Sequence, residues 1–432
     1  MKVSGAIALA IVGSVPFAAA SAQDSGGETD RPPRMVTALW QDWRGSGVWR
    51  TDYYHSSRSL DDETGFLGAT AQLKMLPVFT DTIDAKVEVR ATNPALGEGG
   101  DSRTRLLDGY ASLHFARADL HIGKQIIAWG RADGINPTDN VSPRDFTVML
   151  PFEDDQRFGT TALKLDLFLS QEHTLSVIAA PFFEPSEIPL PSTLRVAERK
   201  PAHTVSNTQA GVKLNKVGEG GDWSVSYYRG FSLLPTGRVV ESGAPGSVLE
   251  LHYDRISAFG ADFARNFGRF GVRGEVAYVD TADDSGRDPT VKNAYLFWIV
   301  GVDRTFYEDL NVNLQFFERR GRGYQDPETI VDPVVRGVAR LNAIVDGLPE
   351  RVSQGISFRV SHQWLNETLE AEVFAAINLT GRNSFVRPLL TYAFNDRWKC
   401  TIGAELYSGA PETQYGSLKA NRNAFVELRY GF

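Results

Sequence analysis

Residues 83–91 read Ile-Asp-Ala-Lys-Val-Glu-Val-Arg-Ala, an unbroken alternation of apolar and charged side chains. A period of two predicts a β-strand with one apolar and one polar face. Residues 158–169 and 369–379 alternate in the same way. Strands of about nine to eleven residues cross a bilayer at a tilt of ~45°, whereas strands of soluble proteins usually have about five or six. The pattern therefore favours a membrane β-barrel.

Segments of this kind recur along the whole chain, and we predict an all-β fold, a transmembrane antiparallel barrel of about 18 strands with 16 as the alternative. The predicted strands lie near 47–55, 66–76, 82–92, 105–116, 119–130, 157–169, 173–182, 208–216, 222–232, 256–266, 269–280, 293–305, 311–319, 353–364, 368–379, 384–394, 397–407 and 422–432.

The connections between these segments fall into two classes that alternate along the chain. Long connections rich in Gly, Pro and Asp lie at 131–156, 183–207, 233–255, 320–352 and 408–421, and tight turns occupy most of the others. Outer-membrane barrels have short periplasmic turns and long extracellular loops. The last segment ends the chain on Tyr430-Gly431-Phe432 inside an alternating strand, which resembles the C-terminal signature of bacterial outer-membrane proteins.

Composition narrows the class of protein further. The chain has 432 residues, one Cys and a net charge of −8. A lone Cys400 excludes an internal disulfide and cysteine-based metal sites, and the acidic balance argues against a nucleic-acid partner. A mean hydropathy of −0.23 argues against a bundle of membrane-spanning helices.

Residues 1–22 have the features of a secretory signal peptide. Lys2 precedes an apolar stretch over 6–19, and Ala20-Ser21-Ala22 fits the rule for cleavage sites. A transmembrane anchor is the alternative, but the stretch is short and interrupted. We expect a signal peptide over 1–22, a periplasmic lead-in over 23–46 and an outer-membrane barrel over 47–432.

The charged faces of the strands must point into the lumen, and these residues are the candidates for its lining. The candidates for the pore lining or its constriction are Lys86, Arg90, Asp108, Lys124, Asp133, Asp139, Arg144, Asp145, Lys164, Arg273, Arg359 and Arg387. A slight basic excess there favours anionic solutes. The alternative is that most of them form ion pairs that stiffen the wall.

The connection 131–156 follows the fifth predicted strand and contains Asn136-Pro137 and Ser142-Pro143, which restrict the backbone. Such a loop could fold into the pore and narrow it, or remain an ordered external loop. A calcium site on Asp139, Asn140 and Asp145 is conceivable from their oxygen atoms, but their spacing matches no known loop motif. We therefore assign no metal and no cofactor.

Four short motifs in this region carry a resemblance to a known family. Gly123-Lys124-Gln125, Trp129-Gly130, Asp133-Gly134 and Asn136-Pro137-Thr138-Asp139 resemble the G-[RK]-Q, W-G and N-P-x-D motif of an uncharacterised family of proteobacterial outer-membrane barrels. The resemblance implies a signal-bearing, porin-like barrel with a role in the passage of hydrophobic or organic small molecules.

Within 320–352, apolar residues recur at helical spacing from Val335 to Val345. We expect a short amphipathic helix that plugs or covers the mouth, or a surface helix without a transport role. The basic run Arg319-Arg320-Gly321-Arg322 could bind lipopolysaccharide phosphates or form a solvated turn.

We expect a channel for passive or selective diffusion of small solutes, and not an enzyme. The alternative function is a conduit for hydrophobic small molecules or lipids that works with periplasmic partners. No G-x-S-x-G motif occurs and the seven His residues are scattered. The expected partners are outer-membrane lipid, lipopolysaccharide and the solute, and a homo-oligomer is compatible with the sequence.

Overall fold

In the computed structural model, the described residues run from 43 to 432. The gaps within this range are 57–63, 95, 97–101, 148–155, 189–194, 242–246, 284–285, 287, 289–290 and 308. The expected signal peptide and most of the lead-in lie outside the described residues.

Strands dominate the described part of the chain. Their bounds are β1 Ser46–Ser56, β2 Gly65–Met75, β3 Val78–Thr80, β4 Ile83–Asn93, β5 Arg103–Phe115, β6 Ala118–Gln125, β7 Thr160–Phe168, β8 His173–Ala180, β9 Val196–Arg199, β10 Gln209–Lys216, β11 Asp222–Phe231, β12 Thr236–Glu241, β13 Ser247–His252, β14 Arg255–Phe267, β15 Phe270–Asp280, β16 Tyr295–Phe306, β17 Leu310–Gly321, β18 Val352–Trp364, β19 Leu369–Asn378, β20 Asn383–Ala393, β21 Trp398–Ser408 and β22 Asn423–Gly431. One α-helix, α1, spans Pro333–Val345.

The large sheet closes on itself. Neighbouring strands pair antiparallel around the ring, and β1 pairs with β22 in a register that places Arg50 opposite Arg429 and Tyr54 opposite Phe425. The short β3 pairs only with β4, so 18 strands form the closed barrel. The predicted fold class and strand number are confirmed.

The barrel has two unlike ends, as the connection lengths predict. One end, here the short-turn end, carries tight connections such as those after β5, β14 and β20. The other, here the long-loop end, carries the connections that follow β6, β8, β11, β15 and β17. One connection at this end is also short, because β19 and β20 are joined by 379–382.

The wall is apolar outside and polar inside. In β22, the outward Val426 and Leu428 are 43% and 41% exposed, whereas the inward Phe425 and Glu427 are 3% and 1% exposed. This is the inside-out arrangement of a barrel in lipid, where the outer face meets acyl chains and the closed sheet satisfies its own backbone.

A small second sheet lies in the long connections. β12 pairs antiparallel with β13, and β13 pairs parallel with β9. Helix α1 packs on β12, where the Asn342 side chain accepts from the Gly237 amide at 2.7 Å and donates to the Gly237 carbonyl at 3.0 Å. The expected helix is therefore present as part of a cap on the long-loop end. The three strands of the small sheet are absent from the sequence analysis because they are short.

Helix α1 begins where its sequence predicts. The Asp332 carboxylate accepts from the Val334 and Val335 amides at 2.8 and 3.0 Å, and Pro333 occupies the first turn. Of the helices in the described residues, none has the length and apolarity to cross a bilayer.

One predicted strand is too long. The sequence predicts a strand over 119–130, but β6 ends at Gln125. There the Ile126 amide leaves the sheet ladder and donates instead to the Asp108 carboxylate at 2.7 Å. The chain therefore leaves the wall at this point, although the residues up to Ala128 remain apolar.

The two faces of β21 allow a direct test of this polarity. Ile402 faces outward at 54% exposure, and its neighbour Thr401 faces inward at 3%. We expect Ile402→Lys to lower the free energy of unfolding by about 2–4 kcal/mol, because it places an ammonium group against acyl chains. Thr401→Lys places the same group in the lumen among Glu370, Glu372 and Glu427, with Lys399 and Arg429 also nearby. It should cost less than Ile402→Lys, because carboxylate partners are available there. Urea unfolding in lipid vesicles measures both; equal costs would contradict the assigned faces.

Candidate functional site in the barrel lumen

The connection between β6 and β7 enters the lumen. We call residues 126–147, the first of its two described stretches, the inserted loop. Its start is held by Asp108, and the Ile127 amide donates to the Ser142 hydroxyl at 2.6 Å, so the two arms of the loop are joined. Trp129 and Val141 are buried beside residues of the wall. Of the two positions that the sequence allowed for this loop, the structure shows the internal one.

A single carboxylate on the wall, Glu275 of β15, anchors the centre of the loop. Its Oε2 accepts from the amides of Arg131 and Ala132 at 3.2 and 3.0 Å. The amide and hydroxyl of Thr138 donate to its Oε1 at 3.0 and 2.8 Å. Glu275 is only 3% exposed, so its carboxylate has lost most of its hydration. These four hydrogen bonds from the loop compensate for this loss.

Close approach to Glu275 explains one glycine of the loop. Gly130 has a φ of +99°, and a Cβ at this position would collide with the Glu275 carboxylate. A side chain there would be strained by both the backbone conformation and the lack of space. The Trp129-Gly130 pair of the family motif therefore lies where the loop meets its anchor.

Beyond Glu275, the loop reaches the strands on the far side of the ring. Gln315 of β17 accepts from the Asp133 amide at 3.1 Å and donates to the Asp133 carbonyl at 2.7 Å. Arg359 of β18 lies 2.9 Å from the Asp133 carboxylate and 2.7 Å from Glu372. Since the loop starts between β6 and β7, these contacts carry it across the lumen.

Four arginines meet at the inserted loop. Arg144 and Arg157 both pair with Asp139, with Arg144 at 3.2 Å. A cavity of about 280 Å³ beside the loop, here the inner cavity, is lined by Arg144, Arg157, Arg359 and Arg387. Asp133, Asp139 and Glu372 are among the carboxylates that contact these arginines. The four guanidinium groups concentrate positive charge at the constriction.

Several other candidate residues lie in ion pairs along the wall. Lys86 lies 2.6 Å from Asp108, and Lys164 lies 2.5 Å from Asp166. Arg90 donates to the side-chain oxygen of Gln72 at 3.2 and 3.1 Å. These groups face inward, but they do not line the inner cavity.

The remaining candidates are spread over three further contacts. Lys124 pairs with Glu184, Asp145 lies 3.2 Å from Arg105, and Arg273 lies 2.6 Å from Asp303. Of the twelve candidates, Asp133, Arg144, Arg359 and Arg387 line the inner cavity together. Asp139 pairs with Arg144 and does not line this cavity itself.

The three side chains considered for calcium make other contacts. Asp139 holds two arginines, Asp145 accepts from the Thr147 amide at 3.0 Å, and the Asn140 side chain donates to the Pro137 carbonyl at 3.3 Å. Within the described residues, no three His, Cys, Asp or Glu side chains are placed to hold a metal ion.

The chain matches the family described as "Protein of unknown function (DUF1302)" over residues 84–432. It belongs to the DUF1302 family. The matched region contains the whole inserted loop and most of the barrel. The shorter motif from Gly123 to Asp139, which carried the resemblance, remains a prediction about what defines this family.

Several solved structures share the fold of this DUF1302 barrel. Acinetobacter baumannii OccAB3 matches with a TM-score of 0.55 and 10% identity over 90% of this chain and 98% of its own. OccAB4 of the same organism has a TM-score of 0.53 and 11% identity, covering 90% and 97%. The Pseudomonas aeruginosa outer membrane protein opdK has a TM-score of 0.53 and 9% identity, covering 90% and 98%.

At these identities the likeness shows the fold alone, which is that of an outer-membrane porin-like barrel. No curated protein matches the chain significantly.

One histidine of the wall lies between a serine and a carboxylate, the arrangement that an acyl-transfer enzyme would need. His121 Nδ1 is 3.0 Å from the Ser112 hydroxyl, and its Nε2 is 3.6 Å from the Asp166 carboxylate. However, Asp166 already accepts from Lys164 and Ser176 at 2.5 Å. Ser112 is also paired within the sheet on both sides, so the ladder occupies the backbone amides that an oxyanion hole would require. The group is a hydrogen-bonded network of the wall.

The residues that hold the loop are not among the predicted site residues. Glu275 and Gln315 lie on inward faces of β15 and β17, where alternation alone makes them equivalent to other polar residues. Arg131, which pairs with Asp262 and donates to Asn215 at 2.5 Å, was also missed. Strand alternation could place these residues on the inner face of the wall. It could not show which inward residues would contact the loop.

Loss of the anchor should loosen the loop. We expect Glu275→Ala to speed hydrogen exchange of the Ala132 and Thr138 amides by at least ~10-fold, because each bond to a charged group contributes about 1.5–3 kcal/mol. Glu405→Ala is the matched control: it removes a carboxylate on the inward face of β21 that accepts from Asn423 at 2.9 Å, and its described contacts are not with the loop. Mass-spectrometric exchange on the detergent-solubilised barrel measures both. Unchanged exchange in Glu275→Ala would refute the anchoring role.

Proposed function

We propose that this protein is a porin-like channel for passive or selective diffusion of small solutes, with a preference for anions. The observation that carries the proposal is the group of four arginines around the inner cavity, at the place where the inserted loop narrows the lumen. An 18-stranded barrel is wide enough for an aqueous channel. The loop reduces that width and determines which side chains a passing solute meets.

The electrostatics at the constriction favour negative solutes. Guanidinium groups present several donors in a plane and bind carboxylate or phosphate oxygens well. A charged group in a narrow passage with low-dielectric walls also concentrates counter-ions locally. Asp139 holds Arg144 and Arg157 in position, Asp133 and Glu372 hold Arg359, and these carboxylates offset part of the positive charge. A partial offset suits a channel, because a solute must bind weakly enough to leave.

The same lining argues against the alternative conduit for hydrophobic compounds or lipids. An apolar solute would need a continuous apolar path through the constriction, since burying charged groups without partners is costly. The inner cavity instead combines four guanidinium groups with Asp133 and Asn136. A diffusing polar or charged solute fits this lining better.

The proposed location is the bacterial outer membrane. The apolar outer face of the barrel supports contact with lipid, and opdK, which shares the fold, is an outer membrane protein. On this view residues 1–22 are removed during export, the short-turn end faces the periplasm and the long-loop end contacts lipopolysaccharide. Assembly into a homo-oligomer is compatible with this arrangement.

Ion selectivity tests the proposal. In planar bilayers with a KCl gradient, the purified barrel should give stepwise conductance and a reversal potential of the sign expected for chloride. We expect Arg387→Gln to lower the chloride-to-potassium permeability ratio by roughly 2- to 10-fold, because it removes one of the guanidinium charges at the constriction. Arg320→Gln is the control, since Arg320 is exposed and pairs with Glu318 at 3.0 Å away from the inner cavity.

Three results would contradict this function. A correctly folded barrel that stays electrically silent would exclude a channel. Cation selectivity in the unmodified protein would exclude the anion preference. Equal shifts in Arg387→Gln and Arg320→Gln would show that the constriction does not determine selectivity.

A further inference from the structure

A second cavity lies on the other side of the inserted loop, towards the long-loop end. We call it the outer cavity; its volume is about 180 Å³. It is partly open. Its lining comes from the loop, from the ends of β14 to β17 near the long loops, from the connections after β8 and β11, and from Val345 at the end of α1. Arg144 and Asn136 line both the outer and the inner cavity, so the two spaces meet at these side chains.

One wall of the outer cavity is apolar and rigid. Ile256, Val279 and Phe297 are 5%, 0% and 7% exposed, so the strands hold them in place. Tyr295, Leu233 and Leu234 extend the same surface. Two aromatic rings and several branched side chains form a surface suited to a flat apolar group.

Basic side chains lie beside this apolar wall. Arg319 is held over the rings of Tyr295 and Phe297, with its guanidinium carbon 5.0 and 4.2 Å from their centroids. Its hydrogen-bond partner is the carbonyl oxygen of Asp346. In the part of the chain that the structure describes, no carboxylate pairs with Arg319, so its charge is not offset locally.

The other two cations of the outer cavity are Arg144 and Lys292. Arg144 shares Asp139 with Arg157, so one carboxylate serves two guanidinium groups. Lys292 lies 2.7 Å from Asp346. Burial lowers the pKa of Lys292, but Asp346 and Tyr295 outweigh this effect and raise that pKa above its usual value. The ammonium group is therefore charged at neutral pH, and the cavity as a whole has more basic than acidic groups.

We infer that the outer cavity is a binding site for a small organic anion with one flat apolar ring, of the aromatic carboxylate class. The ring packs against Ile256, Val279 and Phe297, and the carboxylate meets Arg319 and Arg144. This ligand supplies the negative charge that Arg319 lacks and covers the apolar wall. A purely inorganic anion would satisfy only the charge, and a neutral ring only the wall.

The size of the outer cavity agrees with a one-ring ligand. A cavity of about 150 Å³ in a protein core holds one benzene molecule, and the outer cavity has about 180 Å³. Fused-ring or long-chain compounds would exceed this space. The outer cavity therefore selects a narrower class of ligand than the constriction, which favours anions in general.

Because Arg144 lines both cavities, the outer cavity can take part in transport. This transport role rests on the proposed channel function. A carboxylate bound in the outer cavity contacts a guanidinium that also lines the inner cavity. The anion can therefore turn from one cavity to the other without losing its charged partner. The outer cavity is then the first binding step before the constriction.

Benzoate is the probe for this site, because it carries both features in one ring. Titration calorimetry on the full barrel in detergent should show benzoate binding at least ~10-fold tighter than acetate, which lacks the ring, and benzamide, which lacks the charge. In planar bilayers, benzoate added on the long-loop side should block the ion current over the same concentration range.

Variants separate the two halves of the site. Arg319→Gln should weaken benzoate binding by at least ~10-fold, and Arg319→Lys should weaken it less because the charge remains. Phe297→Leu should weaken the binding of benzoate and leave the binding of acetate unchanged. Arg320→Gln alters the neighbouring arginine, which does not line the cavity, and should change neither. A heat-modifiability gel confirms that each variant is folded.

Calorimetry and conductance distinguish failure of this inference from failure of the channel proposal. An open channel with no benzoate binding overturns the outer site and leaves the channel. Benzoate binding to a silent barrel supports the site and overturns the channel. Equal binding of benzamide and benzoate, or unchanged binding in Arg319→Gln, overturns the inferred ligand class. If Arg319→Gln does not fold, the affinities of the unmodified protein for benzoate, acetate and benzamide decide whether the inferred ligand class is correct.

Discussion

The backbone of a sheet in lipid has no water to bond to, and the rest of this structure depends on that constraint. The sheet must close, and pairing of β1 with β22 closes it. Closure in turn gives every strand one face towards acyl chains and one towards the lumen. Charged residues can be retained on the inner face because they pair with one another there, as Lys86 does with Asp108.

The lumen is organised by one buried carboxylate. Glu275 accepts bonds from both arms of the inserted loop, and Asp133 and Arg131 extend the attachment to other strands. A buried carboxylate without partners would be costly, so loop and wall stabilise each other. The loop in turn brings Arg144 to the wall arginines, so the basic constriction exists only because the loop is held inside.

Much of the fold could be predicted from the sequence because a strand in lipid has a regular signature. Alternation and length placed the barrel strands within a few residues, and the two loop classes indicated the two ends. The end of β6 could not be predicted, since Ile126 and Ile127 continue an apolar run while their amides bond to Asp108 and Ser142. The small sheet of β9, β12 and β13 was also missed, because short strands carry little periodic signal.

The candidate site could be predicted only in part, because it depends on contacts between distant residues. Alternation identified Arg359 and Arg387 as inward, and the prolines indicated a rigid loop. Their meeting with Asp133 and Arg144 depends on how far the loop crosses the lumen. Strand alternation gives no information on how far the loop extends. For the same reason, Glu275 and Arg319 could not be predicted as site residues.

The order of these elements along the chain has a consequence for assembly. The loop that narrows the lumen is synthesised before the strands that hold it, and Asp133 and its partner Arg359 are separated by 226 positions. Contacts of such long range form late in folding, because the intervening chain must be ordered first. A partly assembled barrel therefore has the inserted loop but not the strands that hold it. The constriction is completed only when the last strands close the barrel.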